Sequence, residues 1–178
     1  MFIGAEEQLN EMDYLFFFNA NMKIASQINP DELLPDATKD EGLVVALHSG
    51  YYKADSRHFS YEKNKKSTAF LEKGSYYFQG CFSGGTRDAY LKMSHELKKN
   101  IQTDLDNDYF IAVWWDESHL NKYMIDKHPR ILSPAFCYPE DKQFPFAPKI
   151  LMLDKSKHGG HKLLRGQKEG WLQKAKTL

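Results

Sequence analysis

The chain has 178 residues, enough for one domain spanning 1–178 with a genuine core and too few for two ordinary ones. Its 24 basic residues balance 24 acidic ones, which removes the net field that recruits nucleic acid or an anionic membrane surface. Two cysteines, Cys81 and Cys137, give no disulfide framework, and no apolar run reaches the length of a transmembrane segment, so a cytoplasmic domain with both thiols reduced is expected.

Phe2 to Met12 reads as a helix with Phe2, Ile3, Leu9 and Met12 on its buried side. Asp13 to Phe18 is predicted as a central strand, and it ends in the polar triplet Asn19-Ala20-Asn21. Many nucleotide-sugar transferases place Asp-x-Asp after such a strand, where the carboxylates hold a divalent ion on the diphosphate. Here both acidic positions are amides, which carry no charge but still donate and accept hydrogen bonds. On its own the triplet reads as a turn. Residues 28 to 40 form a Pro-containing, acidic surface connection.

Gly42 to Leu47 is a second buried strand, closing on His48-Ser49-Gly50-Tyr51-Tyr52. His48 either orients a hydroxylated ligand or is a satisfied structural hydrogen-bonder. Lys53 to Lys73 is polar and basic, a solvated face with Tyr61-Glu62-Lys63-Asn64 as an ordered loop. Tyr76 to Gly85 is a strand punctuated by glycine. Gly80 signals close approach of the backbone to something, and Gly84-Gly85 is expected to turn the chain into a helix. That helix runs from Thr86 to about Asp106, with Tyr90, Met93, Leu97 and Ile101 on one face as scaffold.

Ile111 to Trp115 are β-branched or aromatic and predict a buried strand. Asp116 or Ser118 caps the helix that follows, whose apolar face carries Leu120, Tyr123 and Met124. Asp116 and Glu117 then sit where a strand hands over to a helix, the place where open α/β sheets bind ligands. After a short strand at Ile131 to Pro134 comes a loop rich in aromatics, then a strand from Lys149 to Leu153. The segment from Asp154 to Arg165 places Lys155, Lys157 and Arg165 around Gly159-Gly160. It reads as a basic tail or as a flap over a diphosphate.

Taken together these segments resemble glycosyltransferase family 6, the family of the histo-blood-group A and B transferases and the α-1,3-galactosyltransferases, which also has a bacterial branch. The resemblance rests on Asp13-Tyr14-Leu15 running into Asn19-Ala20-Asn21, Leu47-His48 with Gly50-Tyr51-Tyr52, Tyr61-Glu62, and the block from Tyr76 to Gly85. It continues through Trp114 to Tyr123, Leu132-Ser133-Pro134, Gly159-Gly160-His161 and Leu163-Leu164-Arg165. It implies an α/β, GT-A-type fold with a mixed central sheet. It also implies transfer of galactose or N-acetylgalactosamine from its UDP-sugar to a galactoside acceptor, in α-1,3 linkage and with retention at the anomeric carbon.

By the same resemblance Glu117 is the catalytic carboxylate beneath the anomeric carbon. Asp116 holds donor hydroxyls, His48 contacts acceptor or donor sugar, and Trp114 walls the acceptor galactose. Asn19, Asn21, Lys155, Lys157 and Arg165 attend the diphosphate. Gln79, Gly80 and Cys81 fall where the family chooses its donor. The bulk of Cys81 favours galactose, whereas the amide of Gln79 suits a 2-acetamido group, and the choice stays open.

Three departures stand out. The Asn-Ala-Asn triplet, as in the bacterial branch, implies metal-independent transfer with tail lysines in place of the ion. Trp115 stands where the family usually has histidine. The family's first strand-helix-strand segment, with its uridine-binding residues, is expected to be missing. An inactive, truncated remnant that at most binds glycan is the alternative to a working enzyme. A metal-dependent hydrolase is disfavoured because no histidine pair has ligand spacing within a helix.

Overall fold

A computed structural model describes residues 2–36 and 38–160. Its strands are β1 (Tyr14–Phe18), β2 (Met22–Ile24), β3 (Leu43–Leu47), β4 (Phe78–Thr86), β5 (Arg130–Leu132), β6 (Tyr138–Pro139) and β7 (Ile150–Met152). The α-helices are α1 (Glu6–Leu9), α2 (Pro30–Leu33), α3 (Arg87–Asp106) and α4 (Trp115–Tyr123). One sheet has the order β1-β4-β3-β5, the other β2-β7-β6. In the first, β4 is antiparallel to both β1 and β3, while β5 is parallel to β3. The mixed orientation within an α/β chain agrees with the GT-A-type expectation.

The uninterrupted apolar run of β3 is explained by burial on both faces. Leu43 and Val45 join Leu15, Phe78, Tyr90, Leu91, Met93, Leu120 and Met124 in a core between the sheet and helices α3 and α4. Val44 and Ala46 face the other way, packing with Cys81, Phe82, Leu132, Phe136, Cys137 and Ile150. Each large apolar side chain removed from water in these layers contributes about 1.5–3 kcal/mol. Cys81 and Cys137 are buried free thiols in the second layer, as expected of packing residues.

Several expectations need correction. The first helix is shorter than predicted: a 3-10 turn over Phe2–Ala5 followed by α1. Strand β1 lies at an edge of its sheet among the described residues, not at the centre. Gly84 and Gly85 do not turn the chain. Both are paired inside β4, opposite Phe16 and Leu15 of β1. A Cβ at Gly84 would run into the Phe16 ring, and one at Gly85 into the Gly42 carbonyl, so close strand packing is what demands glycine there.

The largest correction concerns residues 111 to 115, which form no strand. Their backbone is committed elsewhere: Val113 N–H donates to Glu62 Oε2 at 2.7 Å, and Trp115 N–H closes a turn on the Ala112 carbonyl at 2.9 Å. Trp115 adopts a left-handed φ of 50°, which no sheet strand accommodates. Only Ala112 is buried, while Ile111, Val113, Trp114 and Trp115 are exposed.

Candidate active site

The site is built where α4 meets the start of β4. Asn121 makes that junction. Buried at 3% exposure, it accepts the Phe78 N–H (2.8 Å) and donates to the Phe78 carbonyl (2.9 Å) and to the Glu117 carbonyl (2.9 Å). One side chain thus ties the first turn of α4 to the first residue of β4. Leu120 and Met124 pack the same helix into the core, as the apolar spacing predicts. Neither Asp116 nor Ser118 caps it in the expected sense. Trp114 takes the cap position, and the Ser118 hydroxyl receives the Trp114 N–H at 3.1 Å.

This docking aims Glu117 at β4. Its Oε2 accepts the Gly80 N–H at 2.7 Å and its Oε1 accepts the Tyr77 hydroxyl at 3.0 Å. Burial pushes the Glu117 carboxyl above the ordinary range. The Gly80 amide and then the Tyr77 hydroxyl pull it back, and the neighbouring Asp116 charge adds to the rise. The close approach foreshadowed by Gly80 is therefore to Glu117 itself. A Cβ at position 80 would stand 2.9 Å from Glu117 Cβ and 3.4 Å from its Cα. Gly80→Ala is expected to cost about 1–3 kcal/mol by pushing α4 away from the sheet. Chemical denaturation measures this, and a parent-like midpoint would mean that the helix slides aside freely.

On one side of Glu117 lies an aromatic box. Tyr77 contacts the rings of His48 (5.5 Å), Tyr51 (4.7 Å) and Tyr61 (5.4 Å), and a cavity of about 170 Å³ opens between His48, Tyr51, Tyr52 and Tyr77. His48 Nδ1 accepts the Gly50 N–H at 3.0 Å, which assigns the ring proton to Nε2. Burial lowers the His48 pKa to about 4, so the imidazole is neutral near pH 7. Trp114 joins this side through Ser60: its indole N–H donates to Ser60 Oγ at 3.0 Å, and that oxygen also bonds the Tyr51 hydroxyl. Asp116 and Gly80 border a larger cavity of about 460 Å³, walled by α3 and α4 and including Ser83, Tyr90 and Leu120.

Alternation along β4 separates the remaining residues. Gly80 faces α4, whereas Gln79 and Cys81 face the second layer. Gln79 is fastened by the Ser49 N–H (3.4 Å) and its amide points at Met152 Sδ (3.2 Å). Cys81 Sγ lies 3.3 Å from Cys137 Sγ. The Asn triplet is joined to the same stretch, since Asn19 N–H donates to the Cys81 carbonyl at 3.0 Å. Asn21 Nδ2 donates to the Leu153 carbonyl at 2.7 Å, and its buried Oδ1 has no partner among the described residues. That bond brings the triplet beside the segment carrying Lys155. Lys157, however, is paired with Glu140 at 2.6 Å. Gly159 and Gly160 both take left-handed φ values, of 87° and 73°. Arg165 lies outside the described residues.

A divalent ion at the triplet needs oxygen donors that include charge. Asn19 and Asn21 offer amide oxygens without charge, and the Asn21 Nδ2 bond to Leu153 leaves its Oδ1 unpartnered among the described residues.

Sequence reasoning assigned no role to Tyr77, Ser60, Asn121, Glu62 or Asp104, although four of them lie in or beside segments it singled out. Glu62 and Asp104 are buried carboxylates that hold the loop before α4. Glu62 accepts Asn64 N–H and Val113 N–H, both at 2.7 Å, and Asp104 accepts Ser67 Oγ–H (2.5 Å) and Thr68 N–H (2.7 Å). Glu62, an acid amid the lysines of 53–73, was the available signal, and Asp104, one of several acids at the end of α3, gave none.

The chain has relatives among known proteins. It is 32% identical over 160 residues to the O-antigen biosynthesis glycosyltransferase WbnI of Escherichia coli, covering 88% of this chain and 65% of that protein. It is 31% identical over 150 residues to the globoside alpha-1,3-N-acetylgalactosaminyltransferase 1 of Mus musculus, covering 83% of this chain and 41% of that one. It is 31% identical over 147 residues to the histo-blood group ABO system transferase 2 of Rattus norvegicus, covering 80% and 40%. The chain therefore spans between about two-fifths and two-thirds of the length of these relatives. No helix among the described residues is long and apolar enough to cross a membrane. Residues 2–165 match the pattern of glycosyltransferase family 6, and the chain belongs to that family.

Proposed function

We propose that the chain works as a retaining transferase that moves galactose or N-acetylgalactosamine from a UDP-sugar to a galactoside in α-1,3 linkage. The observation that carries this reading is the geometry of Glu117. It is a half-buried carboxylate, fixed through both oxygens by Tyr77 of the aromatic box and by Gly80, and it follows Asp116, which borders the larger cavity. Names of relatives that include an alpha-1,3-N-acetylgalactosaminyltransferase and an ABO transferase support the sugar class and the linkage.

In this reading Glu117 faces the anomeric carbon, where positive charge develops as the bond to UDP breaks. The carboxylate stabilises that charge, either as an ion pair or through a covalent glycosyl intermediate that the acceptor then displaces. Asp116 orients donor hydroxyls at the mouth of the larger cavity. His48, neutral with Nε2–H free to donate, and the Trp114 indole face the acceptor, whose apolar sugar face suits an aromatic wall. Asn19, Asn21 and Lys155 attend the diphosphate without a metal ion, together with Lys157 once it is released from Glu140, and with Arg165.

Calorimetric titration of UDP with EDTA present tests the reading. Saturable binding is expected, unchanged by added Mn²⁺ and weakened by Lys155→Ala. Absence of binding with and without Mn²⁺ would assign this chain to the inactive remnant instead.

A further inference from the structure

We propose that Tyr77 is a positioning residue for the reaction: its hydroxyl fixes the orientation and charge of the Glu117 carboxylate. The proposal rests on Glu117 being the reacting carboxylate, and it adds a second residue to which neither motif nor comparison assigns a role. Three observations converge on it.

First, the Tyr77 ring has nowhere to go. It is 2% exposed and enclosed by the rings of His48, Tyr51, Phe59 and Tyr61, at centroid distances of 5.5, 4.7, 6.0 and 5.4 Å. A rotamer locked on four sides holds its hydroxyl on Glu117 Oε1 at 3.0 Å, with the Ser60 hydroxyl beside it. Second, the Gly80 N–H holds Oε2 at 2.7 Å, so the two donors pin both ends of the carboxylate and leave it no free rotation. Third, the phenol is a donor at every working pH. Burial, and then the Glu117 charge, push its pKa up against a smaller pull from the Ser60 hydroxyl, which keeps the phenol protonated beside the carboxylate.

Three other groups bear on Glu117. Asp116, on the same helix, raises its pKa; the Gly80 amide lowers it; and the Cys137 thiol, on the turn after β5, is held protonated and adds no charge. Tyr77 is thus the one side chain among them that donates to Glu117 and favours its ionised form. It also shares the aromatic box with His48, so the residue read as facing the acceptor and the carboxylate that waits for it are set by one ring.

The experiment follows the Glu117 carboxyl by carbon-13 NMR titration, its signal assigned by loss in Glu117→Gln. Tyr77→Phe keeps the ring and deletes one donor to the charged form. The midpoint is therefore expected to rise by about one pH unit. In transfer assays the acid limb of the profile moves to higher pH by the same amount, and kcat falls about tenfold with KM little changed. Tyr61→Phe, in the same cluster but bonded to the Tyr76 carbonyl, leaves the midpoint in place. If Tyr77→Phe does not fold, 3-fluorotyrosine at position 77 replaces it. A stronger donor on the same ring moves the midpoint down.

An unmoved midpoint in whichever of these proteins is folded, or an equal shift in Tyr61→Phe, would overturn the proposal. Failure of the underlying reading looks different: Glu117→Gln would transfer at the parent rate whatever the titration shows.

Discussion

Replacing Glu117 with glutamine is expected to lower transfer by at least about 10³-fold while the protein remains folded. The amide has the shape of the carboxylate and its oxygen still accepts the Gly80 N–H, so the junction between α4 and β4 survives. What disappears is the negative charge. The fold places that charge at some cost, because burial alone drives the carboxyl toward its neutral form, and two donors are needed to offset the effect. A charge maintained against desolvation is what an oxocarbenium-like transition state requires, and it contributes little to stability. Stability of the variant is expected within about 1 kcal/mol of the parent, in either direction. UDP affinity is expected to be unchanged, since no contact to the Asn triplet is altered. Parallel measurement of transfer rate, UDP binding and melting decides the matter. Loss of transfer alone assigns the charge to chemistry. Loss of all three would make Glu117 a structural residue, and a parent rate would remove it from the mechanism.

The Glu117 prediction was reachable from the sequence because the Asp-Glu-Ser-His-Leu-Asn run is local, with every residue on one helix and its neighbours at fixed spacing. The same holds for β3 and α3, whose apolar patterns are explained by burial on two faces and on one. The segment before α4 defeated the pattern. Ile111 to Trp115 has the composition of a strand, yet its Val113 N–H is taken by a carboxylate from residue 62, and Trp115 bends into a left-handed turn. Propensity describes what a segment does when the sheet has room for it, and here a side chain 51 positions away competes for the backbone. Gly84-Gly85 misleads for a related reason. Glycine is needed there because β1 and β3 crowd β4 from both edges, which no local reading of a Gly-Gly pair reveals. Tyr77 was hidden among ten tyrosines, and only the enclosing rings distinguish it.

The second large effect is expected at Asp104, far from any motif. Asp104→Ala should destabilise the protein by about 2–5 kcal/mol. The residue is 1% exposed near the end of α3 and serves two partners on the 62–68 loop: the Ser67 hydroxyl at 2.5 Å and the Thr68 N–H at 2.7 Å. It also faces His119 Nε2 of α4 at 3.6 Å. Burial lowers the His119 pKa, against the pull of Asp104, Asp116 and Glu62 in that order, so this pair is not a strong ion pair. The cost of the variant comes from stranding a buried hydroxyl and a partly buried N–H, with a cavity where the carboxylate stood. The loop so released carries Glu62, whose other oxygen holds Val113 two residues before α4 begins. Loosening at Asp104 is therefore transmitted to the first turn of α4, and with it to Glu117. Transfer is expected to fall along with stability, unlike the clean separation expected for Glu117→Gln. Asp106→Ala, two residues on and exposed, is the matched control and should stay within about 0.5 kcal/mol of the parent. If denaturation midpoints for the two variants coincide, the buried carboxylate carries no special load. If Asp104→Ala unfolds early but its folded fraction transfers sugar at the parent rate, the loop stabilises the domain without setting the geometry of the site.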